Sequence, residues 1–100
     1  MFKVISKWQR ESADVPFYRR DDSASSLATE AKIAGKLISE ETFVAPDKLT
    51  LSYVACWDSI QSYSDFNAIP GLVAYIDARE AHNTANNIVL VFKKTETISA

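Results

Sequence analysis

The amino-acid sequence predicts an α+β fold: a four-stranded antiparallel sheet with its helices on one face. Four stretches alternate side chains as half-buried strands do, and two segments between them switch to helical spacing. The seven residues Leu51-Ser-Tyr-Val-Ala-Cys-Trp57 also run straight into Asp58-Ser-Ile-Gln61. Asp58 offers an N-cap oxygen there, and Gln61 lies three residues on, a close relative of the capping box. A strand that becomes a helix at a tryptophan corner fixes architecture more firmly than any other signal in the chain.

Phe2 to Trp8 is the first strand, with Phe2, Val4, Ser6 and Trp8 on one side and Lys3, Ile5 and Lys7 on the other. Gln9 to Arg20 has mixed charge, Pro16 and the pair Phe17-Tyr18 but no period, which makes it a long loop suited to a covering or binding role. Ser23 to Ala34 reads as a helix whose inner face is rich in alanine. Asp21, Asp22 and Ser23 are its candidate caps, and Gly35 is its left-handed terminator. Alternation returns from Leu37 to Ala45, with Leu37 and Phe43 on one side and Ile38, Thr42 and Val44 on the other. Pro46-Asp47-Lys48 is a turn leading into a strand from Leu49 to Trp57.

The helix after Trp57 carries Ile60, Tyr63 and Phe66 at helical spacing and breaks near Ile69, because Pro70 disfavours helical geometry in the residue before it. A second helical run from Gly71 to about Asn83 aligns Leu72, Tyr75, Ile76 and Arg79. Asn86-Asn87 ends it. Ile88 to Lys94 is the last strand, and Thr95 to Ala100 has no strong preference.

One hundred residues make one domain, 1–100. The net charge of −2 and the lack of any basic cluster larger than Arg19-Arg20 argue against nucleic acid as a partner. No apolar run reaches the length of a bilayer span, and no signal segment is evident, so a cytoplasmic protein away from the membrane is expected. A lone Cys56 in a strand permits no internal disulfide and reads as a small hydrophobe rather than a reactive thiol.

Strand, helix, strand, strand, helix, strand is the βαββαβ order of ferredoxin-like folds, with both helices on the same side of the sheet. Phe2, Val4, Leu49, Leu51, Tyr53, Leu90 and Phe92 are the candidates for that side. The opposite set, Ile5, Ile38, Val44, Val54, Cys56, Val89 and Val91, is too apolar for a sheet face left in water, and only Lys3, Lys7, Glu40 and Lys93 look solvated. At about 25 cal/mol per Å², covering those side chains is worth several kcal/mol. No helix remains to cover them, so a second copy is expected across a two-fold axis, making a homodimer.

The order of elements, the strand ending at Trp57 and the broken helix from Ser59 to Asn83 resemble the dimeric α+β barrel proteins. These include the antibiotic-biosynthesis monooxygenase-like domains and the haem-degrading monooxygenases. Trp57-Asp58-Ser59, Tyr63 and Phe66, then Ala81-His82, are the residues that carry the resemblance. It implies a pocket between sheet and helices, and cofactor-independent oxygenation or isomerisation if the protein is catalytic. By the match to haem-degrading members, His82 would ligate iron. The Trp57-to-His82 spacing is longer here, however, and Phe2 to Trp8 lacks the asparagine those enzymes use. No cofactor is therefore expected, with haem as the alternative.

His82 is the only histidine, so no multi-histidine metal site exists in one chain and no metal is expected. A helix-end role suits it, as does proton transfer or a hydrogen bond to substrate. With only two glycines and no nucleophile elbow, phosphate loops and hydrolase triads are excluded. Trp8, Tyr53, Trp57, Phe66 and Tyr75, with Tyr63, are either a small domain's core or the walls of a site for an apolar or aromatic organic molecule. In the second case Tyr63 and His82 would move protons and Arg79 would meet a ligand carboxylate. A non-catalytic interaction protein of the same fold is the other functional expectation.

Overall fold

The computed structural model describes residues 1–98. Seven elements follow in order: β1 (Phe2–Gln9), α1 (Asp22–Ile33), β2 (Leu37–Val44), β3 (Thr50–Trp57), α2 (Ile60–Asn67), α3 (Pro70–Ala85) and β4 (Val89–Thr97). The sheet is antiparallel throughout, in the order β2-β3-β1-β4, which is the ferredoxin-like arrangement expected from the sequence.

Cross-strand partners share a face of the sheet, so the register defines four rows beneath the helices. Leu37, Trp57, Phe2 and Thr97 form the first, and Glu40, Ala55, Val4 and Thr95 the second. Thr42, Tyr53, Ser6 and Lys93 form the third, and Val44, Leu51, Trp8 and Leu90 the fourth. The first two rows hold the core, where Phe2, Val4, Leu37, Ala55 and Trp57 are buried with Phe66 and Leu72. The last two are more open and floor the cleft described below.

Two irregularities correct the expected face assignments. The register shifts between Leu37 and Ser39, leaving Ile38 as the extra residue, and again opposite Lys7/Trp8, leaving Val91 extra. A bulge of one residue exchanges the faces of everything beyond it. Glu40 and Val44 therefore lie on the helix side, whereas Phe43 and Phe92 lie on the open side, opposite Ser52 and Lys7. Lys93 likewise moves to the helix side, opposite Ser6. The open face nevertheless remains apolar, with Phe43 53% exposed, Val89 57% and Phe92 43%, beside half-buried Ile5, Val54 and Cys56.

Helix α1 is capped by the Asp21 carboxylate, which accepts from the Ala24 N–H at 2.8 Å. It ends on Gly35 at φ +74°, with Gly35 N–H donating to Lys32 and Lys36 N–H to Ala31, a Schellman closure. Ala24, Ala28 and Ala31 are its buried residues. These small side chains belong to the core cluster with Phe2, Val4, Ala55 and Leu72. At the corner after Trp57 the cap is Ser59, not Asp58: the Ser59 hydroxyl accepts from Ser62 N–H at 3.1 Å. Asp58 instead accepts from the Ser59 hydroxyl at 3.3 Å. Pro70 occupies the first turn of α3, as expected, and Asn87 at φ 54° follows its end. Strand β4 continues three residues past Lys94, because Thr95 and Thr97 pair with Val4 and Phe2; Ser99 and Ala100 lie outside the described residues.

Candidate functional site

Between the open rows of the sheet, α3 and the loop joining β1 to α1 lies a cleft of about 1400 Å³. Its floor comes from Ser6, Trp8, Leu51 and Tyr53, and its helix side from Tyr75, Ile76 and Arg79. The buried Ser6, only 5% exposed, sits at the middle of the third row. A serine there, flanked by Tyr53 and Lys93, leaves depth that a larger side chain would fill. The volume exceeds the roughly 300–1,000 Å³ of a typical small-molecule site, as an open cleft does, and its mixture of aromatic walls and a few polar tips has the composition of one.

The aromatic residues singled out from the sequence divide into two groups. Trp57 and Phe66 have ring centroids 4.9 Å apart, Trp57 and Tyr63 5.9 Å, and Phe2 and Tyr63 5.3 Å. Trp57 and Phe66 are 3% and 7% exposed, so this inner group is packed core whose outer edges reach the cleft. Trp8, Tyr53 and Tyr75 are half-buried and form the outer group. Phe17 and Tyr18 of the β1–α1 loop join them in lining the cleft.

That loop is tied down at several points. Arg10 donates to the carbonyls of Lys48 at 2.8 Å and Val15 at 2.7 Å, and its guanidinium lies 4.3 Å from the Phe17 ring centre. His82 Nε2 lies 2.7 Å from the Pro16 carbonyl oxygen. A carbonyl only accepts, so Nε2 carries the proton in this contact and Nδ1 is left to accept from Asn86 Nδ2 at 3.4 Å. Tyr18 packs against both His82 and Tyr75, at 5.4 and 5.7 Å between ring centres. The structure thus places His82 at the loop's anchor, apart from the residues that line the cleft, whereas Tyr63 is among them.

The other tie is electrostatic and was not visible in the sequence. Arg20 makes a two-pronged pair with Glu40, at 2.8 and 2.7 Å, Lys32 adds a third contact at 3.0 Å, and the Tyr53 hydroxyl donates to Glu40 at 2.8 Å. Burial pushes the Glu40 carboxyl's pKa upward, but the bonds from Arg20, Lys32 and Tyr53 outweigh it and hold the value at about 2. Burial, then the charge of Glu40, pushes the Tyr53 phenol well above its ordinary value, so it stays protonated and acts as a donor. Arg20, held by the Glu40 bonds against the opposing effect of burial, stays cationic. Glu40 has four donors and no spare basicity. It is a latch.

Because Glu40 is more acidic folded than unfolded, the latch contributes fully above about pH 4.5 and is lost as pH falls towards 2. Discounting for the water that reaches Arg20, 24% exposed at its side chain, the contribution is about 2 kcal/mol. Urea midpoints measured from pH 6 down to pH 2.5 should fall for the native chain. The same series on Glu40→Gln should lose most of that slope; an unchanged slope would remove Glu40 from the account.

Arg79 reaches into the cleft from α3. Its guanidinium lies 5.2 Å from the Trp8 ring centre and 5.7 Å from that of Tyr75. Its only ion pair among the described residues is with Glu80 at 3.3 Å, and that carboxylate's side chain is 61% exposed. Arg79 Nε is buried with no acceptor. Among the described residues no group of three His, Cys, Asp or Glu side chains is placed to hold a metal ion, and no helix is long and apolar enough to cross a membrane.

The fold is shared with several solved structures named as antibiotic biosynthesis monooxygenases or as a cofactor-independent oxygenase. Rv0793 from Mycobacterium tuberculosis matches with a TM-score of 0.65 at 10% identity, covering 100% of this chain and 97% of its own. A Chloroflexus aurantiacus protein assigned as an antibiotic biosynthesis monooxygenase gives 0.64 at 15% identity, over 99% of this chain and 93% of its own. SnoaB, a cofactor-independent oxygenase from Streptomyces nogalater, gives 0.61 at 13% identity in a variant form, over 99% and 91%. No family model matches the sequence, and no curated protein does.

Proposed function

We propose that this protein binds an apolar or aromatic organic molecule in the cleft between sheet and helices, works as a homodimer, and carries out cofactor-independent oxygenation there. The cleft carries the proposal: about 1400 Å³ with Trp8, Tyr53 and Tyr75 on its walls, in a fold shared with a cofactor-independent oxygenase. The chemistry suits a substrate whose own ring becomes an enolate or phenolate. Such an anion gives its electrons to O2, so a ring CH2 and O2 yield a ring C=O and water. What the chain supplies is an aromatic-walled site, the Arg79 charge facing the developing anion, and the Tyr63 hydroxyl for proton movement. His82 would join in proton movement only after leaving the Pro16 carbonyl, and in this scheme it holds the loop wall.

Dimerisation is supported by the open face of the sheet, where Phe43, Val89 and Phe92 stand about half exposed beside Ile5, Val54 and Cys56. A patch of that character on a folded domain marks an interface, and a second identical sheet is the cover that needs no other gene product. Light scattering at micromolar concentration should return twice the 11.1 kDa chain mass, and Val54→Lys should return the single mass. A monomer from the native chain would sink the dimer.

Oxygen uptake in the presence of hydroxylated polycyclic aromatics, read with an electrode, tests the reaction. The expected stoichiometry is one O2 consumed for each ring CH2 converted. A ligand that binds without any uptake would favour a non-catalytic binding protein.

A further inference from the structure

The cleft is more cationic than the protein that contains it. Arg19, Arg20, Lys32, Arg79 and Lys93 line it against Glu40, Glu41 and Glu80, whereas the whole chain has a net charge of −2. Within that set Glu40 is shared by two cations, Arg20 and Lys32, and so leaves a positive excess. Lys93 forms no ion pair among the described residues and lies directly across the sheet from Ser6, on the cleft floor. Arg79 is the most informative member. Its guanidinium lies close to the rings of both Trp8 and Tyr75, its one carboxylate partner among the described residues is on the solvent side, and its Nε is buried without an acceptor. An unsatisfied buried donor costs more on a charged group than on a neutral one, and such a group in a cleft of this kind points to an absent acceptor.

We propose that the ligand of this cleft is an aromatic acid: a ring system that lies on the third and fourth rows of the sheet, with a carboxylate or similar anionic group received by Arg79 and drawn by Lys93. This rests on the ligand-binding part of the function proposed above and adds the ligand's charge and orientation to it. Arg79 supplies planar, paired donors suited to a carboxylate or sulfonate. Trp8 and Tyr75 then bracket the ring end of the ligand beside its acid end. Lys93, a point charge on the edge strand, draws the acid group towards the β1–β4 side.

The test uses two fluorescent probes with the same rings, 1-anilinonaphthalene-8-sulfonate, which is anionic, and N-phenyl-1-naphthylamine, which is neutral. Both are titrated against the native chain, Arg79→Gln and Lys93→Gln, with circular dichroism melts to establish folding. Arg79→Gln should weaken the anionic probe about tenfold, while the neutral probe changes less than twofold. Lys93→Gln, at an exposed edge position that cannot unfold the domain, should weaken the anionic probe about two- to threefold. Displacement of the bound probe by 2-naphthoate but not by 2-naphthylmethanol would extend the result to carboxylates. Equal losses for both probes in Arg79→Gln would make Arg79 a packing residue and overturn the acid assignment while leaving the cleft as a site. Failure of both probes to bind the native chain would overturn the cleft reading and this inference with it.

Discussion

Trp57→Ala should cost about 3–5 kcal/mol of stability, a large share of the roughly 5–15 kcal/mol that a domain of this size has available. The residue sits at the junction of three elements. It pairs with Phe2 on one side and Leu37 on the other, it packs its ring on Phe66 at 4.9 Å, and it is 3% exposed. Removing the indole opens a cavity bounded by side chains from β1, β2, α2 and β3, which cannot collapse without moving the sheet against the helices. Tyr63 would lose its edge contact at 5.9 Å, and the inner end of the cleft would lose its backing. Trp57→Phe should lose less than half as much. Urea denaturation at neutral pH is the measurement, and a loss below 1 kcal/mol for the alanine variant would mean that the corner is not the keystone of the core.

Glu40→Ala has the next largest expected effect. It leaves the Arg20 guanidinium, the Lys32 ammonium and the Tyr53 hydroxyl without the acceptor they share. Breaking a buried pair from one side costs about 3–5 kcal/mol; Arg20 retains some contact with water, so about 2–3 kcal/mol is expected here. The loss should be local as well as global, because Arg20 is the last residue of the loop before the α1 cap. Limited trypsin digestion after Arg19 and Arg20 should become at least several-fold faster. An Arg20→Ala, Glu40→Ala double variant should be less destabilised than the sum of the two single changes. Additive losses with unchanged digestion would show that the pair is a surface decoration.

How much of this was legible in the amino-acid sequence follows from periodicity. Strand and helix order came from spacing that depends only on local pattern, so β1, α1, β2, β3 and the Pro70 break all appeared within a residue or two. The stripe of Leu72, Tyr75, Ile76 and Arg79 was legible for the same reason, and all four line the cleft. A single-residue bulge leaves no signature in alternation, since it resembles ordinary noise at one position. Alternation alone therefore puts Glu40 with the solvated residues and Phe92 beneath the helices, and the bulges reverse both. The partnership of Arg20 with Glu40 links residues twenty apart through a register that the bulge created, and nothing in the composition of either segment announces it. Trp8 and Arg79, by contrast, each had the right face, and only their meeting required the fold.

The anchoring of the β1–α1 loop has a consequence for variation. Arg10 binds the oxygens of Lys48 and Val15, and His82 binds that of Pro16. All three acceptors belong to the main chain, which every amino acid provides. Side chains along this segment other than Arg10 and Arg20 can therefore be exchanged while those hydrogen bonds persist, with Phe17 and Tyr18 giving up their packing on Arg10 and His82. Selection, or a designer, is thus free to recast the chemistry of one wall without reinventing the frame that supports it.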